Sequence, residues 1–155
     1  MSREKDAIEG LLGEPERDDF AIDADAVARA ESIVASLSEE YLEWLEADLQ
    51  QLDGQLSEAR ASVRAVDQLR RKAHDIRGQG GSFGFPLISE IADGLHRVMI
   101  SQEGVLSETG EDLARGLCAA LRVVVERRAR GEGDAVARGA VDTALGRVAD
   151  AYGDA

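Results

Sequence analysis

The segment SVRAVDQLRRKAHDIRGQGGSFG, residues 62–84, decides the fold and carries the most informative side chains of the chain. Its apolar positions recur at spacings of three and four residues, as on one face of an α-helix. They are Val66, Leu69, Ala73, Ile76, Gly80 and Phe83. At about 100° per residue, His74 lies about 130° from the centre of this stripe. The pattern therefore predicts a helix over roughly 62–83 that buries one face and exposes His74.

A cation and two glycines share the predicted face of His74. Arg77 follows at i+3, Gly78 at i+4 and Gly81 at i+7. An imidazole is largely neutral at pH 7 and can act as a nucleophile, and a guanidinium one turn away can neutralise a phosphoryl group carried on the ring. Glycine costs about 1 kcal/mol in a helix interior relative to alanine, so its presence needs an offsetting benefit. We expect Gly78 and Gly81 to let the backbone of another protein approach the imidazole.

These residues resemble the signature of the histidine-containing phosphotransfer (HPt) family, which reads His-x-x-Lys-Gly with a second glycine ten positions after the histidine. His74, Gly78 and Gly84 stand at those spacings. Arg77 replaces the usual lysine and keeps its positive charge, while its planar fork differs from a compact ammonium. Gln79 stands where a small residue, often serine, is common. Neither difference removes a group that the chemistry needs.

The resemblance covers about residues 38–130 and implies a function. His74 would accept a phosphoryl group from an aspartate on a receiver domain and pass it to another receiver, and Arg77 would stabilise that group. The implied partners are response-regulator receiver domains and a hybrid or sensor histidine kinase. The implied Mg²⁺ belongs to the receiver, so this chain would need no cofactor. The chain would be a phosphohistidine carrier and not an autonomous kinase or hydrolase.

The distribution of charge supports an acidic or phosphorylated partner. The chain has a formal net charge of −13, which argues against nucleic acid as a partner. Residues 1–59 carry −13, residues 60–81 carry +4 and residues 82–155 carry −4. The one positive segment contains His74, and from it we predict a partner-binding surface of Arg70, Arg71, Gly78 and Gly81. A different interpretation stays open, in which the arginines only balance the neighbouring acidic helices.

Composition and periodicity predict an all-α protein, an antiparallel up-down four-helix bundle with additional short N-terminal and C-terminal helices. Aromatic residues are only 4% of the chain and there are 2 prolines. Residues 1–24 are predicted to be an acidic flexible tail, and residues 25–155 a single helical domain. No apolar run is long enough to cross a membrane and no signal-like segment opens the chain, so we expect a cytoplasmic monomer. Cys118, the only cysteine, is interpreted as a small buried hydrophobe.

Capping and turn residues predict the helix boundaries. A first helix is expected to begin near Asp25 and to pack across the end of the bundle, and Ser38 is expected to cap a second helix. Gly84 is expected to end the helix of His74, and Pro86 to open the next one, roughly 86–102.

Two more helices follow in the predicted order. Thr109, with Asp112 three residues later, resembles an N-cap for a helix that should reach about Arg130. Asp134 is expected to cap the last helix.

Other polar residues near His74 are given no direct role. His96 lies on the polar side of the fourth predicted helix, where the HPt family often has an acidic residue. Asp75 is predicted to point to a different face from His74, and no metal-ligand spacing such as His-x-x-x-Asp surrounds the site.

Three alternatives to a phosphohistidine carrier can be stated. The main one is a non-catalytic helical adaptor that docks a receiver or kinase through the glycine-rich surface. A histidine kinase dimerisation domain fits poorly, because no nucleotide-binding segment follows. A hydrolase or metal enzyme would need a convergent set of acids, bases or nucleophiles, which the sequence does not offer.

Overall fold

The computed structural model of the chain describes residues 24–153, and these form five α-helices without a strand. The helices are α1 (Ala24–Ala59), α2 (Val63–Ser82), α3 (Pro86–Ile100), α4 (Glu108–Arg127) and α5 (Ala135–Tyr152). The prediction of an all-helical protein is therefore confirmed. Most of the predicted acidic tail lies outside the described residues. None of the helices in residues 24–153 is long and apolar enough to cross a membrane.

The predicted boundary at Ser38 is wrong, because α1 runs without interruption from Ala24 to Ala59. The division of the chain into two units falls between Leu37 and Ser38, within this helix. Ser38 does not cap a helix: its side chain is buried, and its Oγ donates a hydrogen bond to the Phe83 carbonyl at 3.1 Å. That carbonyl lies at the C-terminal end of α2, where backbone acceptors lack partners within the helix.

The described part of the first unit, residues 24–37, is helical and carries exposed apolar side chains. They are Val27, Ile33, Val34 and Leu37, each about half exposed. A separate short N-terminal helix was predicted here, and the structure has instead the first part of α1.

Helices of the second unit run up and down. Ser38 of α1 contacts Phe83 at the end of α2, and Asp48, farther along α1, pairs with Lys72, earlier in α2, so these two helices are antiparallel. The Leu106 N–H donates to the Ala59 carbonyl at 2.9 Å, and Arg128 pairs with Glu39 at 2.6 Å. The first of these contacts joins the end of α1 to the residue before the cap of α4, and the second joins an earlier part of α1 to the end of α4, so α1 and α4 are antiparallel as well. The predicted antiparallel bundle is present in this unit.

A tight turn reverses the chain between α2 and α3. Gly84 has φ +91°, the left-handed region that glycine adopts at little cost. The Phe85 N–H donates to the Gly80 carbonyl at 2.8 Å, and the Gly84 N–H donates to the Gly81 carbonyl at 3.1 Å. This pair of bonds is the Schellman arrangement of a helix C-terminus. Pro86 occupies the first turn of α3. Both turn residues therefore act as predicted.

Large apolar side chains from all parts of the second unit fill one core. Those that are almost completely buried are Leu45, Leu52, Leu56, Leu69, Ile76, Phe85, Leu87, Ile88, Ile91, Leu95, Leu106 and Leu117. Next to the α2–α3 turn, the Tyr41 ring stacks on Phe83 with centroids 4.7 Å apart, and the Arg130 guanidinium lies 4.7 Å from the Phe85 ring centre. These contacts fix the C-terminal end of α2.

Helix α4 begins two residues earlier than predicted. Ser107, and not Thr109, is its N-cap, and the Ser107 hydroxyl accepts from the Gly110 N–H at 2.9 Å. The helix ends at Arg127 instead of near Arg130, because Arg128 turns into the left-handed region with φ 47°. Asp134 caps α5 as predicted, accepting from the Ala137 N–H at 2.8 Å.

Cys118 is buried in α4. Burial raises the pKa of its thiol to about 11, so the thiol stays protonated at neutral pH and the interpretation as a small hydrophobe is confirmed.

Candidate functional site

His74 projects from the middle of α2 on the face opposite the core. Its side chain is 63% exposed, whereas the adjacent Ala73 and the nearby Ile76 are buried. The exposure predicted from the helical phase is therefore confirmed. A ring in this position can be reached by a reacting group on another protein.

Asp75 lies closer to His74 than the helical phase predicts. One Asp75 carboxylate oxygen is 3.8 Å from Nδ1 of His74, and both side chains are mostly exposed. The helical phase places Asp75 on a different face of α2 from His74, but the two flexible side chains bend toward each other along the helix surface. The separation is too long for a hydrogen bond but places a negative charge beside Nδ1.

Arg77 joins the face of His74 to the neighbouring helix α3. Its Nη1 donates to Asp93 Oδ1 at 2.9 Å, and both partners are about half exposed. Asp93 was not predicted from the sequence as part of this site. The ion pair holds a guanidinium one turn from the imidazole while leaving it open to water, where exchange of partners costs little.

His96 is the second residue of α3 that reaches this site. Its ring centre is 6.3 Å from that of His74, and the rings are inclined by 53°. Burial and the positive charges of Arg77 and Arg70 lower the pKa of His96, while Asp93 acts in the opposite direction. His96 and Asp93 are three residues apart and so share one face of α3. That spacing was visible in the sequence, but the register of α3 against α2 was not.

Arg70 and Arg71 both pair with one acidic residue of their own helix. Arg70 Nη2 is 2.7 Å from Asp67 Oδ1, and Arg71 Nη2 is 2.9 Å from Asp67 Oδ2. Hydrogen bonding from Arg70 lowers the pKa of Asp67, so that carboxylate stays charged. Arg71 is nevertheless 71% exposed. The predicted cationic surface is therefore present but partly neutralised, and its role in partner binding stays a prediction.

The three glycines after Arg77 have different surroundings. A Cβ atom built on Gly78 meets nothing within 4 Å, and one on Gly81 meets only the Ser89 hydroxyl at 3.8 Å. On Gly80 it would lie 2.7 Å from the Ser89 hydroxyl and 3.1 Å from the Phe85 carbonyl. Gly80 is thus required by packing between α2 and α3. Nothing inside the described structure requires glycine at 78 or 81.

Ser89 explains why Gly80 must lack a side chain. Its hydroxyl donates to the Arg77 carbonyl at 2.7 Å and accepts from the Gly81 N–H at 2.9 Å. An α-helix pairs this carbonyl with this N–H, so the hydroxyl bridges two backbone groups that the helix itself would join. Ser89 was not predicted, because in the sequence it is an ordinary polar residue in the first turn of α3.

The described residues 24–153 contain no cluster of three or more histidine, cysteine or acidic side chains that could hold a metal ion. The site consists of an exposed imidazole, a guanidinium shared with an aspartate, a second imidazole and an unobstructed patch of helix. Such a set suits acceptance of an anionic group from outside, with electrostatic stabilisation once it is attached.

In a comparison with known protein families, the model of the Hpt domain matches residues 36–151. The match includes α5, which the resemblance seen in the sequence, about residues 38–130, left out. Helix α5 packs against both α3 and α4 and buries Val141 and Val148, so it is part of the same core. No curated protein and no solved structure matches the chain.

Proposed function

The chain belongs to the Hpt domain family, and from this membership we propose that it carries phosphoryl groups between receiver domains of a two-component phosphorelay, with His74 as the acceptor. The observation that carries the proposal is the exposed imidazole of His74 beside a glycine surface that nothing in the described structure fills. Arg77 supports it, since it supplies a positive charge one turn away.

The transfer step uses a lone pair of the neutral imidazole. One ring nitrogen attacks the phosphorus of an aspartyl phosphate, a nitrogen–phosphorus bond forms, and the phosphorus–oxygen bond breaks with its electron pair leaving on the aspartate carboxylate. The reverse reaction passes the group to a second receiver. Asp75 beside Nδ1 favours the tautomer that carries its proton there, which leaves the lone pair on Nε2.

Arg77 stabilises the transferred group by exchanging partners. In the free chain its guanidinium is held by Asp93 at 2.9 Å. A phosphoryl group carries more negative charge than a carboxylate and accepts two parallel N–H bonds from one guanidinium. The ion pair with Asp93 is exposed and therefore weak, so its loss costs little.

The surface around His74 docks the partner. Gly78 and Gly81 leave room for the active-site loops of a receiver, and Arg70 and Arg71 attract its acidic site. The receiver provides Mg²⁺ and the in-line geometry, which is why His74 needs no metal ligands around it. A hybrid or sensor histidine kinase is the expected source of the phosphoryl group. We expect the chain to work in the cytoplasm, as a monomer.

The test is transfer of labelled phosphate from a panel of phosphorylated receiver domains. The wild type should acquire a label that is labile to acid and stable to alkali, as expected of phosphohistidine, and His74→Gln should acquire none. His96→Gln should still be labelled at His74. A label that persists in His74→Gln would overturn the assignment. Binding of receivers without any label would favour a non-catalytic adaptor.

A further inference from the structure

We propose that His96 is a second member of the phosphoryl site, which takes up a proton when His74 becomes phosphorylated and then stabilises the phosphohistidine as an imidazolium. The inference rests on the proposed function and adds to it a residue and a proton. Phosphorylation of this chain would therefore depend on pH through a side chain that is not itself the acceptor.

Geometry brings the two imidazoles into range of one phosphoryl group. Their ring centres are 6.3 Å apart, and the rings project from the facing helices α2 and α3. At this separation, the negative charge of a phosphoryl group attached to His74 acts on the His96 ring over a short distance. Because His96 is partly buried, water screens its attraction to the phosphoryl group less than it would screen two fully exposed charges.

In the unphosphorylated chain the surroundings of His96 favour its neutral form. The groups that act on it come from two helices: Arg70, Arg77 and His74 on α2, and Asp93 on α3. Partial burial is the largest effect and lowers the pKa of His96, and the two arginines lower it further. Asp93 alone raises it, while being occupied by Arg77.

Charged residues on the α5 side of α3 are engaged elsewhere. Arg138 of α5 pairs with Glu90 at 2.7 Å, and Arg97 of α3 donates to the Tyr152 carbonyl at 3.0 Å. The protonation of His96 therefore depends on the site around His74 and not on the α5 side of the helix.

Phosphorylation of His74 changes two of these influences in the same direction. The phosphoryl group brings a charge of about −1.5 to −2 beside His96. It also attracts Arg77, which stays in the site on the phosphoryl group, and this exchange leaves the Asp93 carboxylate free, three residues from His96 on one face of α3. Both changes raise the pKa of His96 and favour uptake of a proton.

The sign of the pH dependence follows from this difference between the two states. Protonated His96 stabilises the phosphorylated state, and the pKa of His96 is higher in that state. This contribution is therefore fully present below the pKa that His96 has in the unphosphorylated chain. The contribution is lost as pH rises through the higher pKa of the phosphorylated chain. Each unit of pKa difference favours phosphorylation about tenfold at low pH.

Titration of the imidazoles by nuclear magnetic resonance tests the proposal directly, because the chain has only 2 histidines. The full chain is labelled with phosphoramidate, whose nitrogen–phosphorus bond breaks with release of ammonia as the new bond to His74 forms. The His96 signal should titrate at a higher pH after labelling. In His74→Gln treated in the same way, its midpoint should not move.

Two results would contradict different parts of the argument. If phosphorus resonance and mass measurements place the label on His74 but the midpoint of His96 stays the same or falls, the role of His96 is wrong. If His74 takes no label, or the label is on His96, the proposed function itself is wrong.

Replacement of His96 provides an independent reading. The fraction of phosphorylated chain at equilibrium with a phosphorylated receiver should increase more steeply toward low pH in the wild type than in His96→Gln. His96→Arg, which keeps a positive charge at all pH values, should retain the stabilisation and lose the additional slope. Equal slopes in the wild type and His96→Gln would overturn the proposal, provided that circular dichroism shows both variants folded.

Discussion

The two faces of α2 use the same kinds of residue for opposite purposes. On the inner face, Gly80 lets α3 approach so closely that any side chain would collide with Ser89. On the outer face, a Cβ atom added to Gly78 would meet nothing within 4 Å. Both glycines weaken the helix by about 1 kcal/mol relative to alanine. The cost at Gly80 is offset inside the molecule, and the cost at Gly78 has no offset unless a partner provides one.

The polar residues that connect α2 to α3 differ in the same way on the two faces. Ser89 uses its hydroxyl to connect α3 to the backbone of α2, at the Arg77 carbonyl and the Gly81 N–H. Arg77 and Asp93 also connect the helices, but through an exposed ion pair that another anion can displace. The inner connection holds the helices in place, and the outer one can exchange partners during transfer.

The largest expected effect is on receiver-dependent transfer in Gly78→Gln. The new side chain points into open space, so helical circular dichroism should be kept and stability should stay the same or rise by about 0.5–1 kcal/mol. Transfer from a receiver should be almost abolished by steric exclusion. The measurement is the initial rate of labelling, compared with the melting temperature of the same variant.

A matched control is Gly139→Gln on α5, since Gly139 is also helical and equally open. It should gain similar stability and transfer normally. Labelling of Gly78→Gln by phosphoramidate should persist, because this donor needs no protein interface. Normal transfer from a receiver to Gly78→Gln would refute the docking role.

Arg77→Ala should slow transfer or shorten the lifetime of phosphohistidine. The stabilisation of the transition state or product that it removes is about 1.5–3 kcal/mol, the value of a charge-assisted hydrogen bond. The melting temperature should change little, because the ion pair with Asp93 is exposed. Arg64→Ala, which removes an equal charge from an exposed position of α2, is the control. A large loss of stability with normal transfer would show that Arg77 is structural.

Gly80→Ala should be destabilising where Gly78→Ala is not. Overpacking costs about 1–3 kcal/mol, and the gain in helix propensity returns about 1 kcal/mol. Because the Ser89 N and the Phe85 carbonyl are backbone atoms, they cannot simply rotate away from the added methyl group. Denaturant unfolding of the two alanine variants measures the difference. A Gly80→Ala variant as stable as Gly78→Ala would show that the two faces do not differ as described.

The smallest expected effect is that of Asp93→Asn. Removing this carboxylate releases Arg77 for the phosphoryl group and removes a negative charge beside it, each an exposed interaction of at most about 1 kcal/mol. The lifetime of phosphohistidine should therefore increase a few-fold. The lifetime should be measured at a pH above the range in which His96 titrates, where loss of the Asp93 charge no longer changes the protonation of that imidazole. A shorter lifetime would mean that Asp93 positions Arg77 and does not compete for it.

Local sequence signals identified much of α2 and its surroundings. The spacing of Leu69, Ala73 and Ile76 placed His74 on the exposed face, and the structure confirms it. Gly84 and Pro86 marked the turn into α3, because a positive φ and a first-turn proline have narrow residue preferences. These features depend on residues within about one or two helical turns of each other.

Other boundaries depended on contacts that local patterns do not contain. Serine is a favoured N-cap residue, but Ser38 lies in the interior of α1. There its side chain donates a hydrogen bond to Phe83, which is distant in sequence. In the structure Ser107 caps α4 instead of the predicted Thr109, although both residue types can accept the necessary hydrogen bond. Capping residues only permit a helix end, and packing selects among them.

The sequence by itself determined that the chain is all-helical, that His74 lies opposite the buried face of α2, and that a cation and two glycines accompany it. It could do so because helical periodicity fixes the direction of each side chain on its own helix. Only the tertiary structure decided that Gly80 serves packing while Gly78 stays open, that Asp93 holds Arg77, and that His96 faces His74. These relations join α2 to α3, and their register is set by how the two side-chain surfaces interlock, which no periodicity along one helix contains.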